Sequence, residues 1–175
     1  MRKVLLTTIC LCLLASVQAG AGVNLGLRGG ILTGDDFEAD DNLTLVGAEC
    51  RITTIPFIHL IATGEYAWKK YDVLTSEVTF SDMFFTGSAV VPLTMPVITP
   101  YAGGGVGSHT FKLKNDDDDS SSETKMGYHI IGGVILGMPT SPLSLAAEYR
   151  HFWVDYEDDT MKFNTITGSL LFKFY

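Results

Sequence analysis

The feature that most constrains this chain is a period of two in its apolar residues. In an extended strand, successive side chains point to opposite faces, so alternation marks a sheet with two different surroundings. "GVNLGLRGGIL" puts Val23, Leu25, Leu27 and Ile31 on one face, and Asn24, Gly26 and Arg28 on the other. "VGAECRI" sets Val46, Ala48, Cys50 and Ile52 against Gly47, Glu49 and Arg51. "IHLIATGEYAW" sets Ile58, Leu60, Ala62, Tyr66 and Trp68 against Thr63 and Glu65. "MFFTGSAVV" sets Met83, Phe85, Ala89 and Val91 against Phe84, Thr86 and Ser88. "LSLAAEYRHFW" sets Leu143, Leu145, Ala147, Tyr149 and Trp153 against Ser144, Glu148 and Arg150. "NTITGSLLFKFY" sets Ile166, Leu170, Phe172 and Phe174 against Thr167, Ser169 and Lys173. A glycine-rich stretch, "ITPYAGGGVGSHTF", and one apolar on both faces, "MGYHIIGGVILGM", complete a set of eight predicted strands.

Most of these strands have about the 10 residues that a tilted strand needs to cross a bilayer. Their connections alternate in kind. "TTIPF", "PLTMP" and "PTSP" are short and uncharged. "TGDDFEADDN", "KKYDVLTSE", the stretch from Lys112 to Lys125, and "VDYEDDTMK" are charged and are predicted to be long loops. Of the 20 acidic residues, only Glu49, Glu65, Asp82 and Glu148 fall inside predicted strands. Short turns at one end and polar loops at the other are the pattern of an all-β, eight-stranded, antiparallel, up-and-down transmembrane β-barrel. Closure is required because an open sheet edge leaves backbone groups unpaired in hydrocarbon. The segment from Asp116 to Ser122 has no apolar residue to bury and is expected to be a deletable surface loop.

In such a barrel the apolar faces meet lipid and the opposite faces fill the lumen. Arg28, Glu49, Arg51, Glu65, Glu148 and Arg150 therefore point inward and are predicted to pair as a structural ion network, since a lone buried charge is costly. Trp68 and Trp153 belong to one aromatic belt, and Phe172, Phe174 and Tyr175 to the other.

The chain begins "MRKVLLTTICLCLLASVQAGAG", a basic start, an apolar run and small residues before a cut. Residues 1–19 are predicted to be a signal peptide, with a second cleavage option after Ala21, and residues 22–175 the barrel domain. Ile9 disfavours a lipoprotein cut at Cys10. Cleavage leaves Cys50 as the single cysteine, so no internal disulfide forms. It also takes the net charge from −8 to −10, by loss of Arg2 and Lys3, which argues against nucleic acid as a partner.

Candidate chemistry is sparse. "GGGVG" (Gly103 to Gly107) is followed by no Lys-Ser or Lys-Thr pair, so it marks close backbone approach, not a phosphate loop. His59, His109, His129 and His151 share no metal-ligand spacing and are expected at a rim or in the lumen. "DDDDSSSE" lacks the spacing of a calcium loop. Ser108 with His109, and Ser144, Glu148 and His151, supply the residue types of an acyl hydrolase without a motif to join them. No catalytic, cofactor or metal site is assigned, and the chain is expected not to be an enzyme.

"ITPYAGGGVG" (Ile98 to Gly107), "SLAAEYRHF" (Ser144 to Phe152) and the ending "LLFKFY" together resemble the outer-membrane β-barrel domain family, which includes the transmembrane domain of OmpA and the OmpX/Ail and opacity-type surface proteins. The resemblance covers the chain after its signal. It implies Sec-dependent export to the outer membrane of a Gram-negative-type bacterium. It also implies contact with outer-membrane lipid and lipopolysaccharide, and recognition of Phe172, Phe174 and Tyr175 by the barrel-insertion machinery. The expected function is a non-enzymatic structural or surface-interaction role, with an extracellular ligand for the acidic loops. The alternatives are a lipid A-modifying hydrolase and a narrow passive pore. A secreted ligand-binding barrel is disfavoured, because it would need polar outer faces.

Overall fold

The computed structural model describes residues 22–34, 42–55, 57–73, 76–93, 95–114, 120–137, 141–156 and 159–174. The predicted signal peptide, Tyr175 and the run Asp116 to Asp119 lie outside them. Eight strands occur in order: β1 (Gly22–Gly34), β2 (Leu43–Ile55), β3 (Ile58–Val73), β4 (Ser76–Pro92), β5 (Ile98–Lys114), β6 (Ser120–Gly137), β7 (Leu143–Tyr156) and β8 (Asp159–Phe174). Each pairs with its neighbours in sequence, and β1 pairs antiparallel with β8 from Val23 opposite Phe174 to Gly34 opposite Phe163. The sheet is therefore a closed up-and-down barrel, which satisfies every interior strand edge.

The alternation read from the sequence sorts the faces as a barrel in lipid requires. Leu27, Phe85, Val91, Val106, Ile130, Ile166 and Leu170 are exposed on the outside, while Glu49, Arg51, Glu65, Phe84, Arg150 and Thr165 are buried within. Outward aromatic side chains stack in pairs. Tyr66 lies 5.5 Å from Trp68, and Tyr128 lies 5.1 Å from Trp153, ring centre to ring centre. Phe172 and Phe174 contact each other near the opposite end.

The loops differ from expectation. The strands run from 13 to 18 residues, well past the length needed to cross a bilayer. Most of "KKYDVLTSE" is paired backbone, with Lys69 opposite Phe80 and Asp72 opposite Glu77. Ser120 to Ser122 pair with Lys114 to Lys112, so β6 begins inside the segment expected to be loop. Asp72, Glu77, Glu123, Asp155 and Asp159 consequently lie in strands. The physical reason is that apolar alternation reports lipid on one face. Beyond the membrane both faces meet water, the pattern disappears, and antiparallel hydrogen bonding continues regardless. The polar end, or hairpin end, is built of projecting hairpins.

The inward glycines of β5 and β6 serve the lumen. A Cβ on Gly133 would lie 2.5 Å from the Tyr101 hydroxyl, and one on Gly105 would lie 2.8 Å from the His129 ring. Real Cβ atoms do not approach that closely, so these positions leave room for large neighbours to lie across the barrel.

Candidate functional site

The lumen has three layers, each set by strand parity. Nearest the chain ends, Ile61, Val90, Tyr101 and Ile131 form a small apolar cluster with Ile135. At the hairpin end Leu32, Leu43, Leu45, Ala67, Phe84, Phe152, Val154 and Phe163 form a larger one, with Phe80, Phe111 and Met161 packed against it.

Between them lie the six charged residues singled out from the sequence, in one connected network. Arg28 on β1 reaches Glu49 on β2 (3.1 Å), Glu65 on β3 (3.0 Å) and Glu148 on β7 (2.7 Å). Arg51 pairs with Glu49 (3.1 Å) and Glu148 (3.3 Å), and Arg150 with Glu65 (2.8 Å) and Glu148 (2.7 Å). All six side chains are essentially inaccessible to solvent. Three guanidinium groups face three carboxylates, so the layer is neutral as a whole. That balance is what a low-dielectric interior demands, because an unmatched buried charge costs several kcal/mol.

Uncharged groups complete it. The Tyr101 hydroxyl donates to Glu148 Oε2 (2.6 Å) and accepts from Arg51 (3.1 Å). Thr63 donates to Glu65 (2.7 Å), Thr86 accepts from Arg150 (3.1 Å), and Thr167 accepts from Arg28 (2.5 Å). Arg51 also lies 4.9 Å from the centre of the Tyr101 ring. The interior is thereby linked from β1 through β5 and from β7 to β8. Parity in "ITPYAGGG" could have identified Tyr101, which shares a face with Gly103 and Gly105. Thr63, Thr86 and Thr167 were already on the inward faces, but nothing in the sequence marked them as partners.

The residue types of a hydrolase are not assembled as the sequence suggested. Ser108 and His109 are adjacent in β5 and so point to opposite faces; His109 is fully buried in the lumen. His151 faces outward, where its Nδ1 lies 2.6 Å from Asn164, while Glu148 is held by arginines on the inside. Two other contacts take their place. Ser88 lies 2.8 Å from His129 Nε2, and His109 Nδ1 lies 3.0 Å from Asp82 Oδ2. His109 and His129 sit among Phe84, Phe111, Phe152 and Phe163, away from any open surface. Among the described residues no group of three His, Cys, Asp or Glu is placed to hold a metal ion.

A family model for the outer membrane protein beta-barrel domain matches residues 4–174. A search of curated protein sequences returns no match. Among solved structures, Neisserial surface protein A is similar over 89% of this chain and 97% of that one, with TM-score 0.67 and 13% identity. The attachment invasion locus protein Ail of Yersinia pestis, solved in complex with the heparin analogue sucrose octasulfate, covers 88% and 97%, with TM-score 0.60 and 15% identity. A major outer membrane protein from Thermus thermophilus covers 88% and 99%, with TM-score 0.61 and 11% identity. At these identities the likeness is one of fold.

Proposed function

Because this chain belongs to the outer membrane protein beta-barrel domain family, we propose that it is a non-enzymatic, non-conducting barrel that presents its hairpin end outside the cell. The carrying observation is the filled lumen. Apolar clusters lie on both sides of a neutral ion network whose side chains are essentially closed to solvent. An eight-stranded barrel has room for its side chains and little else. With the interior occupied, the projecting hairpins are what remains to act.

Their chemistry narrows the partner. The four connections at that end hold Asp35, Asp36, Glu38, Asp40, Asp41, Asp116 to Asp119, Glu157 and Asp158, and no lysine or arginine. Ail has been captured with a sulfated heparin analogue. Acidic connections repel such a polyanion and favour a basic ligand surface. Outer-membrane lipid and lipopolysaccharide surround the apolar wall. The insertion machinery reads the end of β8, where Phe172 and Phe174 face outward. Residues 1–19 direct export as a cleaved signal.

The buried Ser88–His129 contact does not favour a hydrolase. Its atoms are buried inside the lumen, with the His129 ring 4.8 Å from that of Phe152, whereas a lipid A acyl chain meets the outer wall. The test compares lipid A mass spectra from cells with and without the protein, alongside protease treatment of intact cells. Unchanged lipid A and cleavage within residues 115–119 are expected. Loss or transfer of an acyl chain would overturn the non-enzymatic reading, and cleavage only in the 93–97 turn would invert the orientation.

A further inference from the structure

All six prolines of the chain, Pro56, Pro92, Pro96, Pro100, Pro139 and Pro142, lie at the end of the barrel opposite the hairpins. The β2–β3 and β4–β5 turns at that end are apolar. Phe57 is 74% exposed, Leu93 66% and Val97 52%. No Asp, Glu, Lys or Arg occurs from Ile52 to Gly64 or from Met83 to Phe111. Lys173 stands at that end too, on β8, away from both turns. A contiguous apolar patch of this kind is what a surface in water avoids.

Depth accounts for it. Trp68 on β3 belongs to the aromatic belt at the hairpin end, and Phe57 comes eleven residues before it. At about 3.3 Å per residue and a tilt of about 40°, that stretch spans about 28 Å of height. The apolar band of a membrane barrel is about 25 Å tall. A band that starts at Trp68 therefore ends at the turn itself. The exposed apolar wall of Leu60, Val91 and Ile98 runs into Phe57, Leu93 and Val97 with no charged residue between.

The backbone agrees. In hydrocarbon an unpaired N–H is costly, and proline has none. Pro92, Pro96 and Pro100 each remove a donor in and beside the β4–β5 turn. Of the groups that remain, the Leu93 N–H donates to the Pro100 carbonyl (2.8 Å), and the Val97 carbonyl accepts from the Gly137 N–H (2.8 Å).

We infer that the β2–β3 and β4–β5 turns are immersed in the membrane, with Phe57, Leu93 and Val97 among phospholipid acyl chains at the boundary with the head groups. The occupant of this surface is the leaflet at that end, because the surface continues the lipid-facing wall and offers a protein partner no charge to recognise. The barrel stops flush with the membrane there and projects only at the hairpin end. The inference rests on the barrel's lying in a bilayer, not on which end faces the cell exterior.

The test places single nitroxide labels at Phe57→Cys, Leu93→Cys and Val97→Cys in a Cys50→Ala background. Leu60→Cys serves as the lipid reference and Ser122→Cys, at the hairpin end, as the water reference. The protein is folded into vesicles of phosphatidylethanolamine and phosphatidylglycerol. Collision of each label with oxygen, which concentrates in lipid, is compared with collision with a water-soluble nickel chelate present on both sides of the bilayer. Nickel collision at the three turn positions is expected close to that at Leu60 and several-fold below that at Ser122, with oxygen collision high. The same labels are read in native outer-membrane fragments. Folding of each variant is verified by its gel mobility without boiling, and if Phe57→Cys does not fold, Leu93→Cys and Val97→Cys carry the test. Nickel access at the turns equal to that at Ser122 overturns the inference. Turns that are wet in vesicles but shielded in native membranes overturn it as well, because a protein would then cover them.

Discussion

Replacing Arg150 with methionine removes one charge from a balanced set of six. Arg150 is fully buried and contacts Glu65 at 2.8 Å and Glu148 at 2.7 Å, with further bonds to Thr63 and Thr86. The loss leaves three carboxylates facing two guanidinium groups in a layer that solvent does not reach. Breaking one side of a buried ion pair costs about 3–5 kcal/mol, chiefly because the remaining charge has no match. At about 1.4 kcal/mol for each factor of ten, the folding constant falls by roughly a hundredfold to several thousandfold. With a urea slope of about 2 kcal/mol per molar, the midpoint drops by about 2 M. The double variant Arg150→Met, Glu65→Gln restores neutrality and should recover a large part of the loss, so the two substitutions are strongly non-additive. The assay is urea unfolding of the protein reconstituted in lipid vesicles, followed by tryptophan fluorescence and gel mobility. Trp68 and Trp153 are the chain's two tryptophans, and both have outward parity. A loss below about 1 kcal/mol for the single variant, with simple additivity in the double, would mean that water solvates these groups and that the network does not hold the barrel.

Deleting Asp116 to Asp119 should leave heat-modifiable folding intact: it leaves Asn115 as the connection, so the outermost Lys114–Ser120 pair opens and the rest of the ladder stands; extending the deletion to Ser122 should weaken it by removing three pairs of the β5–β6 ladder. Substituting Gly133 with leucine should lower the yield of folded barrel, since its Cβ alone would meet Tyr101 at 2.5 Å; a second change, Tyr101→Phe, should not rescue it, because the ring carbon bearing the hydroxyl lies only 2.6 Å away. Cys50 is free and on the lipid-facing side, so a membrane-impermeant maleimide should label it only after unfolding; rapid labelling in intact vesicles would reject its register.

The faces were legible because lipid enforces them. Glu148 and Arg150 share parity with Ser144 in a strand whose other side is Leu145, Ala147 and Tyr149, and that contrast alone places them inside. A one-residue slip would expose every such group to hydrocarbon. The same logic failed where the contrast fades. "MGYHIIGGVILGM" is apolar on both faces, so nothing in it marked His129 as inward and Ile130 as outward. In β5 parity puts Tyr101 on the face of Gly103 and Gly105, but glycines carry no side chain to mark that face as the inner one. The strand extensions were missed because they stand in water on both sides. Partners were less legible than faces: parity put Thr86 and Arg150 in one interior, but only the tilt and closure of the sheet bring β4 opposite β7.

The most direct test of the filled, neutral lumen is magic-angle-spinning NMR of the protein in lipid bilayers, measuring dipolar coupling between arginine guanidinium nitrogen-15 and glutamate carboxyl carbon-13. The contacts of Arg28 with Glu148 and of Arg150 with Glu65, at 2.7 and 2.8 Å between nitrogen and oxygen, should give strong couplings that vanish in Glu148→Gln and Glu65→Gln respectively. Absent couplings in folded protein, with guanidinium protons exchanging rapidly with water, would show an open, hydrated lumen and contradict the account.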